Sequence, residues 1–150
     1  MRVVIQRVSQ ASVTVEKRVI GNINQGLLVL LGIETEDNQS DLEWLCNKII
    51  KLRIFEDANQ NMNLSIVDVE GKILVVSQFT LHASIKKGTR PSFIKAARPE
   101  QAEPLYEGFC NRLEELTGKP TEMGKFGTMM AVQLINDGPV TILIDSKNRD

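Results

Sequence analysis

The residues best suited to chemistry lie at the end of an apolar run that begins at Ile73. Ser77, Gln78 and Thr80 place hydroxyl and amide groups there, around Phe79. Unpaired polar groups at the end of a buried strand are costly, and sheet enzymes commonly place their reacting groups at such ends. Ser77 and Thr80 are conceivable nucleophiles, and an N–H of Phe79 or a neighbouring residue could stabilise an oxyanion. The alternative is an ordinary strand end with outward-facing hydroxyl groups.

A nucleophilic hydroxyl group needs a general base, and the sequence offers few. The single histidine, His82, has the wrong strand parity relative to Ser77. It shares parity with Thr80, but Cα atoms two residues apart on a strand are separated by about 7 Å, so a dyad requires a bend. We expect His82 to lie on the surface. Cys46 and Cys110 fall on apolar helical positions and are expected to be core thiols, so we predict no metal and no cofactor.

A run of positive charge follows this strand end directly. Between residues 81 and 98 there is no Asp or Glu, and the cations are Lys86, Lys87, Arg90, Lys95 and Arg98. Because the net charge of the whole chain is -1, any contact with a polyanion must come from such a local cluster. The run is either a solvated surface loop or a loop that faces phosphate groups.

Hydrophobic periodicity predicts the elements that position these groups. One helix is predicted over about Asp41 to Leu52, with a capping box formed by Ser40 and Glu43. A second helix is predicted over about Pro99 to Leu116, where Gly118 ends it and Pro104 complicates its start. The apolar run Leu27 to Leu31 predicts a strand that is covered on both faces.

Three polar turns predict hairpins. They lie at Glu16 to Arg18, at Glu70 to Lys72 between strands Leu64 to Val69 and Ile73 to Phe79, and at Asn136 to Pro139 within the stretch Met129 to Ile144. With strands outnumbering helices, the pattern favours an α+β domain of mainly antiparallel sheet with helices on one side.

The length and composition predict a single domain over residues 1–150, since 42% hydrophobic residues suffice for one core. The N-terminal segment lacks the long apolar core of a signal peptide. No apolar run approaches the ~18 residues of a membrane span. We therefore expect a cytoplasmic chain with no membrane contact.

Several motifs in order resemble the D-aminoacyl-tRNA deacylase family. They are Ser77-Gln78-Phe79-Thr80-Leu81, Gly88-Thr89-Arg90-Pro91-Ser92-Phe93 and Asn136-Asp137-Gly138-Pro139-Val140-Thr141. Further matches lie at Ile5 to Val8, Ala11 to Val15, Arg53 to Phe55 and Met62 to Leu64, so the resemblance covers essentially the whole chain. Ordered motifs in a chain of the right length are far more specific than one short pattern.

The resemblance implies an enzyme that hydrolyses the ester between a D-amino acid, or glycine, and the 3′-terminal adenosine of tRNA. Its catalytic segment would be Ser77, Gln78, Phe79 and Thr80, with the Phe79 N–H as oxyanion donor. Thr80 is the obvious nucleophile candidate. We favour water assisted by the 2′-hydroxyl group of the RNA, because the sequence lacks a convincing general base.

The resemblance also implies a homodimer in which Gly138 and Pro139 reach into the partner's pocket. Their peptide bond would be cis, and their carbonyl oxygens would hold the amino group of the substrate and exclude L-residues by clash. Arg7 would support this motif. The cationic run would add Lys86, Lys87 and Arg90 as contacts to the 3′ acceptor end of aminoacyl-tRNA. The expected fold is α+β, a mainly antiparallel, barrel-like sheet with two principal helices packed on it.

Some residues depart from the family pattern, and two alternatives stay open. The departures are His82, the Ile85-Lys86-Lys87 loop and Pro104, none of which lies in the Ser77 to Leu81 or Asn136 to Thr141 motif. One alternative is an editing module for a mischarged L-amino acid, similar to the amino-terminal domain of archaeal threonyl-tRNA synthetases. The other is a non-catalytic RNA-binding or metabolite-binding domain.

Overall fold

The fold is a curved six-stranded sheet with two long helices packed on it. The computed structural model describes residues 1–149. Its elements in chain order are β1 (Arg2–Val15), β2 (Arg18–Ile23), β3 (Gly26–Gly32), α1 (Gln39–Lys51), β4 (Phe55–Glu56), β5 (Met62–Leu64), β6 (Lys72–Ser77), a 3₁₀ turn (Phe79–His82), α2 (Pro99–Thr117), β7 (Glu122–Met123) and β8 (Ala131–Asp145). We call the 3₁₀ turn the 79–82 turn.

The sheet has the order β2-β1-β3-β6-β7, and β8 pairs with the other side of β1. The three pairings of β1 are antiparallel, whereas β3 pairs with β6 and β6 with β7 in parallel. The sheet curls until β2 approaches β7, where a Cβ built on Gly21 would lie 3.0 Å from the Met123 carbonyl oxygen. The expected α+β class and barrel-like sheet are therefore confirmed.

The predicted hairpin around Glu70 to Lys72 is wrong. β6 is buried on both faces and lies beside β3, which is equally apolar and was predicted correctly. A strand with two covered faces belongs inside a sheet and not in an exposed hairpin. The segment that precedes it folds back on itself, with the Gly71 N–H donating to the Ile66 carbonyl at 3.1 Å. The hairpin at Glu16 to Arg18 is confirmed, although Arg18 already belongs to β2.

The predicted hairpin at Asn136 to Pro139 is also wrong. Residues on both sides of this tetrapeptide pair with β1, so residues 131–145 form one strand, β8. The register passes from Val8 opposite Asn136 to Gln6 opposite Thr141. Residues 137–140 therefore face only Arg7 and bulge out of the ladder, as extra residues in one strand of a pair must.

Both helices form where the periodicity predicts them. The cap of α1 differs from the prediction: Asn38 accepts from the Ser40 N–H, and the Asp41 carboxylate accepts from the Asn38 N–H. α2 begins at Pro99 and tolerates Pro104 inside it, and Gly118 ends it with φ +71. Among the described residues, no helix is long and apolar enough to cross a membrane.

The close approach of β3 and β6 makes Gly26 irreplaceable. A Cβ at Gly26 would lie 1.8 Å from the Lys72 carbonyl oxygen, which is backbone and cannot rotate away. We expect Gly26→Ala to lower the free energy of unfolding by about 3 kcal/mol. Gly108→Ala in α2 is the control, since its Cβ would meet only Leu42 at 3.4 Å and alanine favours helix. Chemical denaturation measures both, and equal midpoints would contradict the prediction.

Candidate functional site

A cavity of about 410 Å³ lies beside the carboxyl end of β6. Aromatic rings supply much of its wall, and the lining includes Ser77, Gln78, Phe79, Phe93, Arg98 and Phe126. The Phe79 and Phe93 rings meet edge to face with centroids 5.0 Å apart. A second cavity of similar volume shares Ser77, Gln78 and Phe79. The polar strand end predicted from sequence therefore opens onto space that a ligand could fill.

The backbone of the 79–82 turn leaves one amide free at this strand end. β6 ends at Ser77, so the predicted extension of the strand to Phe79 is wrong. The Gln78 N–H continues the parallel ladder by donating to the Leu31 carbonyl at 2.7 Å. Within residues 1–149 the Phe79 N–H has no hydrogen-bond acceptor. Of the backbone donors considered from sequence, Gln78 is occupied and Phe79 is available.

The hydroxyl group of Thr80 lacks a base. The Gln78 side-chain amide donates to Thr80 Oγ1 at 2.5 Å, and an amide donor cannot accept the proton that a nucleophilic hydroxyl group must lose. Neither ring nitrogen of His82 hydrogen-bonds Thr80. Thr80 is exposed and is not among the residues that line either cavity.

His82 is buried, and the prediction of a surface position is wrong. Only 3% of the residue is exposed. The parity argument assumed a strand, but the 79–82 turn has about three residues per turn, which directs His82 back toward the sheet. Its Nδ1 lies 3.7 Å from Glu34 Oε2.

The cationic run forms a loop between the 79–82 turn and the cavity wall. Ser84 and Ser92 close its base with two backbone hydrogen bonds of 2.8 and 2.9 Å. Lys86, Lys87 and Arg90 lie between them and are exposed. Phe93 follows at once and packs on Phe79, so this loop is tied to the cavity.

Arg7 holds the bulge at residues 137–140. It is 5% exposed, and its guanidinium donates to the Asp137 carbonyl at 3.1 Å and to the Ile54 carbonyl at 2.7 Å. The Gly138-Pro139 peptide bond is cis, as predicted. Gly138 has φ +132, and a Cβ there would lie 2.8 Å from Val140 Cγ2, so only glycine fits. Arg7 therefore links the bulge to residue 54, and its role in substrate binding stays a prediction.

Asn136 fixes the other side of the bulge. Its Oδ1 accepts from the Val140 N–H at 3.1 Å, and its Nδ2 donates to Thr141 Oγ1 at 3.0 Å. Gly138 and Pro139 are nevertheless exposed. The bulge is therefore a rigid backbone projection and not a loose turn.

Within one chain the bulge lies far from the end of β6. It is level with Arg7, which pairs with Leu27, and Leu27 pairs with Ile73. Ser77 lies four residues beyond Ile73, or about 13 Å along the strand, and three inter-strand steps from β8 to β6 add about 14 Å across the sheet. The path along the sheet is therefore about 20 Å. The Gly138-Pro139 motif does not line the cavity of its own chain.

The cysteine thiols and the potential metal ligands do not form an alternative catalytic centre. Burial raises the pKa of the Cys110 thiol to about 12 and raises the pKa of the Cys46 thiol as well, so both stay protonated core groups. In the part of the chain that the structure describes, no three His, Cys, Asp or Glu residues are arranged to hold a metal ion.

Sequence reasoning missed two residues that shape the cavity. Phe126 was not singled out, although an aromatic residue in the tetrapeptide Gly124-Lys125-Phe126-Gly127, outside any predicted strand, is an available signal. Arg98 was counted only as part of the cationic run. It lines the cavity at the start of α2, where the helix dipole adds positive potential.

Comparison with known proteins gives a consistent result. The family described as D-Tyr-tRNA(Tyr) deacylase matches residues 4–145. The chain is 61% identical to a D-aminoacyl-tRNA deacylase of Flavobacterium psychrophilum and 59% identical to one of Bacteroides fragilis, in each case over 150 residues and 100% of both chains.

Two solved structures share the fold. One, described as c-Myc DNA Unwinding Element Binding Protein, has a TM-score of 0.90 and 44% identity over 97% of this chain and 98% of that chain. The other, described as a probable eukaryotic D-amino acid tRNA deacylase, has a TM-score of 0.81 over 95% and 97% of the two chains. At 18% identity the second shows the fold alone.

Proposed function

This chain belongs to the D-aminoacyl-tRNA deacylase family, and from that premise we propose which reaction it performs and how. It is an ester hydrolase that releases D-amino acids, and glycine, from the 3′ end of tRNA in the cytoplasm. The observation that carries the proposal is the free Phe79 N–H at the mouth of an aromatic cavity, in a site without a general base. Backbone donors, RNA and water then perform the chemistry.

The cavity suits the terminal nucleoside of an RNA. Phe79, Phe93 and Phe126 present aromatic surfaces, and unstacked bases bind by stacking on such rings. Arg98 and the amino-terminal end of α2 bring positive potential to the same wall, which favours the neighbouring phosphate. Its volume lies in the range of small-ligand sites.

With the nucleoside bound there, the ester lies at Ser77 to Thr80. Water attacks the ester carbonyl carbon while the 2′-hydroxyl group of the RNA orients it and relays its proton. The carbonyl oxygen becomes an oxyanion, which the Phe79 N–H stabilises by about 2.7–4 kcal/mol, the usual contribution of one such donor. The bond to the 3′-oxygen then breaks, and that oxygen takes the proton. Gln78 and Ser77 position the ester.

Selectivity requires a second copy of the chain. The Gly138-Pro139 bulge is exposed, rigid and about 20 Å from the cavity along its own sheet, so it serves a site in a neighbouring subunit. The outer edge of β8 and its exposed Ile135 and Leu143 supply apolar surface for a homodimer. There the Gly138 and Pro139 carbonyl oxygens bind the amino group of the substrate.

A backbone bulge selects by exclusion. Carbonyl groups fixed in the space that an L side chain requires reject every L-residue regardless of its chemistry, whereas glycine and D-residues avoid the clash. Arg7 and Asn136 hold the bulge from both sides, so it cannot move aside at low cost.

The direct test is hydrolysis of defined esters. The protein is incubated with D-tyrosyl-, L-tyrosyl- and glycyl-tRNA, and ester loss is followed. We expect loss of the D-tyrosyl and glycyl esters alone. Loss of the L-ester would instead support an editing module, and binding without turnover would support a non-catalytic RNA-binding domain.

The absence of a base predicts that the Thr80 hydroxyl group is dispensable. Thr80→Ala, and the matched Thr80→Val that keeps the side-chain shape, should each retain at least about a tenth of the wild-type kcat/KM. Single-turnover hydrolysis of D-tyrosyl-tRNA measures this. A loss of about 10⁴-fold or more in both variants, as for the nucleophile of a triad, would restore a side-chain mechanism.

Selectivity should depend on the length of the bulge. Inserting one glycine between Asp137 and Gly138 moves the carbonyl groups, so we expect the ratio of kcat/KM for D- and L-tyrosyl-tRNA to fall by at least about tenfold. The control is the same insertion between Asn59 and Gln60, in an exposed turn. Unchanged discrimination in the first variant would count against the role of the bulge.

The cationic loop should make RNA binding depend on salt. If Lys86, Lys87 and Arg90 neutralise three phosphates, the logarithm of the RNA association constant should fall with the logarithm of the salt concentration at a slope of about -2. Replacing all three with glutamine should flatten the slope, whereas Lys17→Gln, in the exposed β1–β2 turn, should not. A flat response in the wild type would remove the loop from the RNA site.

A further inference from the structure

His82 is buried beneath the 79–82 turn with both ring nitrogens unbonded. Its side chain is 1% exposed. Among residues 1–149, its Nδ1 and Nε2 are the only buried side-chain nitrogen or oxygen atoms without a hydrogen-bond partner. Buried polar groups are bonded in the large majority of cases, and a specific exception needs a physical reason. Here the exception lies in the turn that carries the proposed oxyanion donor.

The ring packs against β3. A Cβ built on Gly32 would lie 3.1 Å from His82 Cδ2 and 2.9 Å from Leu81 Cβ, so the glycine provides the space into which the turn packs. The Glu34 carboxylate lies 3.7 Å from Nδ1.

Three charged groups act at this corner of the turn. One is Lys147, whose pKa is raised by its hydrogen bond to Asp41 and also by the Glu34 carboxylate. Glu34 follows β3, and Arg2 of β1 donates from its guanidinium to the Leu81 carbonyl at 3.0 Å. The charge of Arg2 is already paired with Asp145 at 2.8 Å. A neutral His82 is too far from Glu34 for a hydrogen bond, whereas a protonated His82 forms an ion pair across the same gap.

Glu34 does not line the cavity, but it follows Ile33, which does. Its neighbours hold residues 95–97 through backbone hydrogen bonds, from the Ala97 N–H to the Ile33 carbonyl at 2.9 Å and from the Thr35 N–H to the Lys95 carbonyl at 3.0 Å. Ala97 and Phe79 both line the cavity. A bond between His82 and Glu34 therefore connects the 79–82 turn to the segment that contains residues 95–97.

We propose that His82 is a positioning residue which, when protonated, pairs with Glu34 and fixes the 79–82 turn against residues 95–97. The ion pair requires the imidazolium, because the neutral ring carries no charge. This rests on the proposed function, since the position of the turn affects the rate only if the Phe79 N–H acts on the ester.

The pair can be observed without any substrate, because His82 is the single histidine of the chain. Its ring ¹⁵N and ¹H signals are followed by NMR between about pH 5.5 and 8.5. In Glu34→Gln, which keeps the shape of the side chain, we expect the ring signals to differ from those of the wild type at the acidic end of this range and to coincide with them at the alkaline end. The control is Glu36→Gln, in the same loop, with an exposed side chain. Identical ring signals of wild type and Glu34→Gln across the whole range would overturn the pair.

The effect on catalysis is measured as the ratio of the wild-type rate to the Glu34→Gln rate. Single-turnover rates of D-tyrosyl-tRNA hydrolysis are compared for wild type and Glu34→Gln across the same pH range, so that the intrinsic lability of the ester cancels. We expect the wild type to be about tenfold faster at the acidic end and the ratio to approach one at the alkaline end. KM should change little, because the cavity itself stays intact.

A second variant separates positioning from stability. The single-turnover rate of His82→Ala at acidic pH should fall by a similar factor. The rate of the double variant His82→Ala, Glu34→Gln should fall no further than that of the slower single variant, because both substitutions remove the same interaction. Additive losses or a pH-independent ratio would overturn this inference alone. Absence of hydrolysis by the wild type would overturn the proposed function and the inference with it.

Discussion

The pairing of β8 with β1 on both sides of residues 137–140 is the constraint on which the proposed site depends. Because both ends of β8 are hydrogen-bonded to β1, the surplus residues 137–140 cannot be absorbed by a hairpin and must project from the sheet. Arg7, the single β1 residue opposite them, then becomes their support instead of a ladder partner. A strand pairing thereby produces a rigid piece of exposed backbone, and the proposed selectivity follows from its rigidity.

The proposed catalysis also relies on a backbone group, the amide of Phe79. The parallel pairing of β3 with β6 occupies the Gln78 N–H, and the 3₁₀ turn that follows leaves the Phe79 N–H free. The Gln78 amide that donates to Thr80 cannot take its proton, and the buried thiols remain protonated. A site of this kind works by placing water, RNA and one amide donor together, which fixed backbone does at no cost in side-chain entropy.

Local sequence patterns predict where most helices and strands lie, but they do not predict which strands pair with each other. The i, i+3, i+4 spacing located α1 and α2 within a few residues, and an all-apolar run identified β3, because these signals depend on nearby residues alone. Alternation shows which face of a strand is buried but not which strand lies beside it, so β6 was placed in a hairpin and β8 was divided in two. The site motifs could be named through their family resemblance, whereas the burial of His82 depended on a 3₁₀ turn that reverses strand parity.

The central claim is that fixed backbone of a second subunit selects the substrate, and a structure of the protein bound to a non-hydrolysable D-tyrosyl-adenosine amide tests it most directly. We expect the tyrosyl ammonium group to lie within hydrogen-bond distance of the carbonyl oxygens of Gly138 and Pro139 from the other copy. The adenine should stack in the cavity of the first copy, with the carbonyl oxygen of the ligand at the Phe79 N–H. An ammonium group bound by side chains, or a ligand bound by a monomer without any Gly138-Pro139 contact, would contradict it.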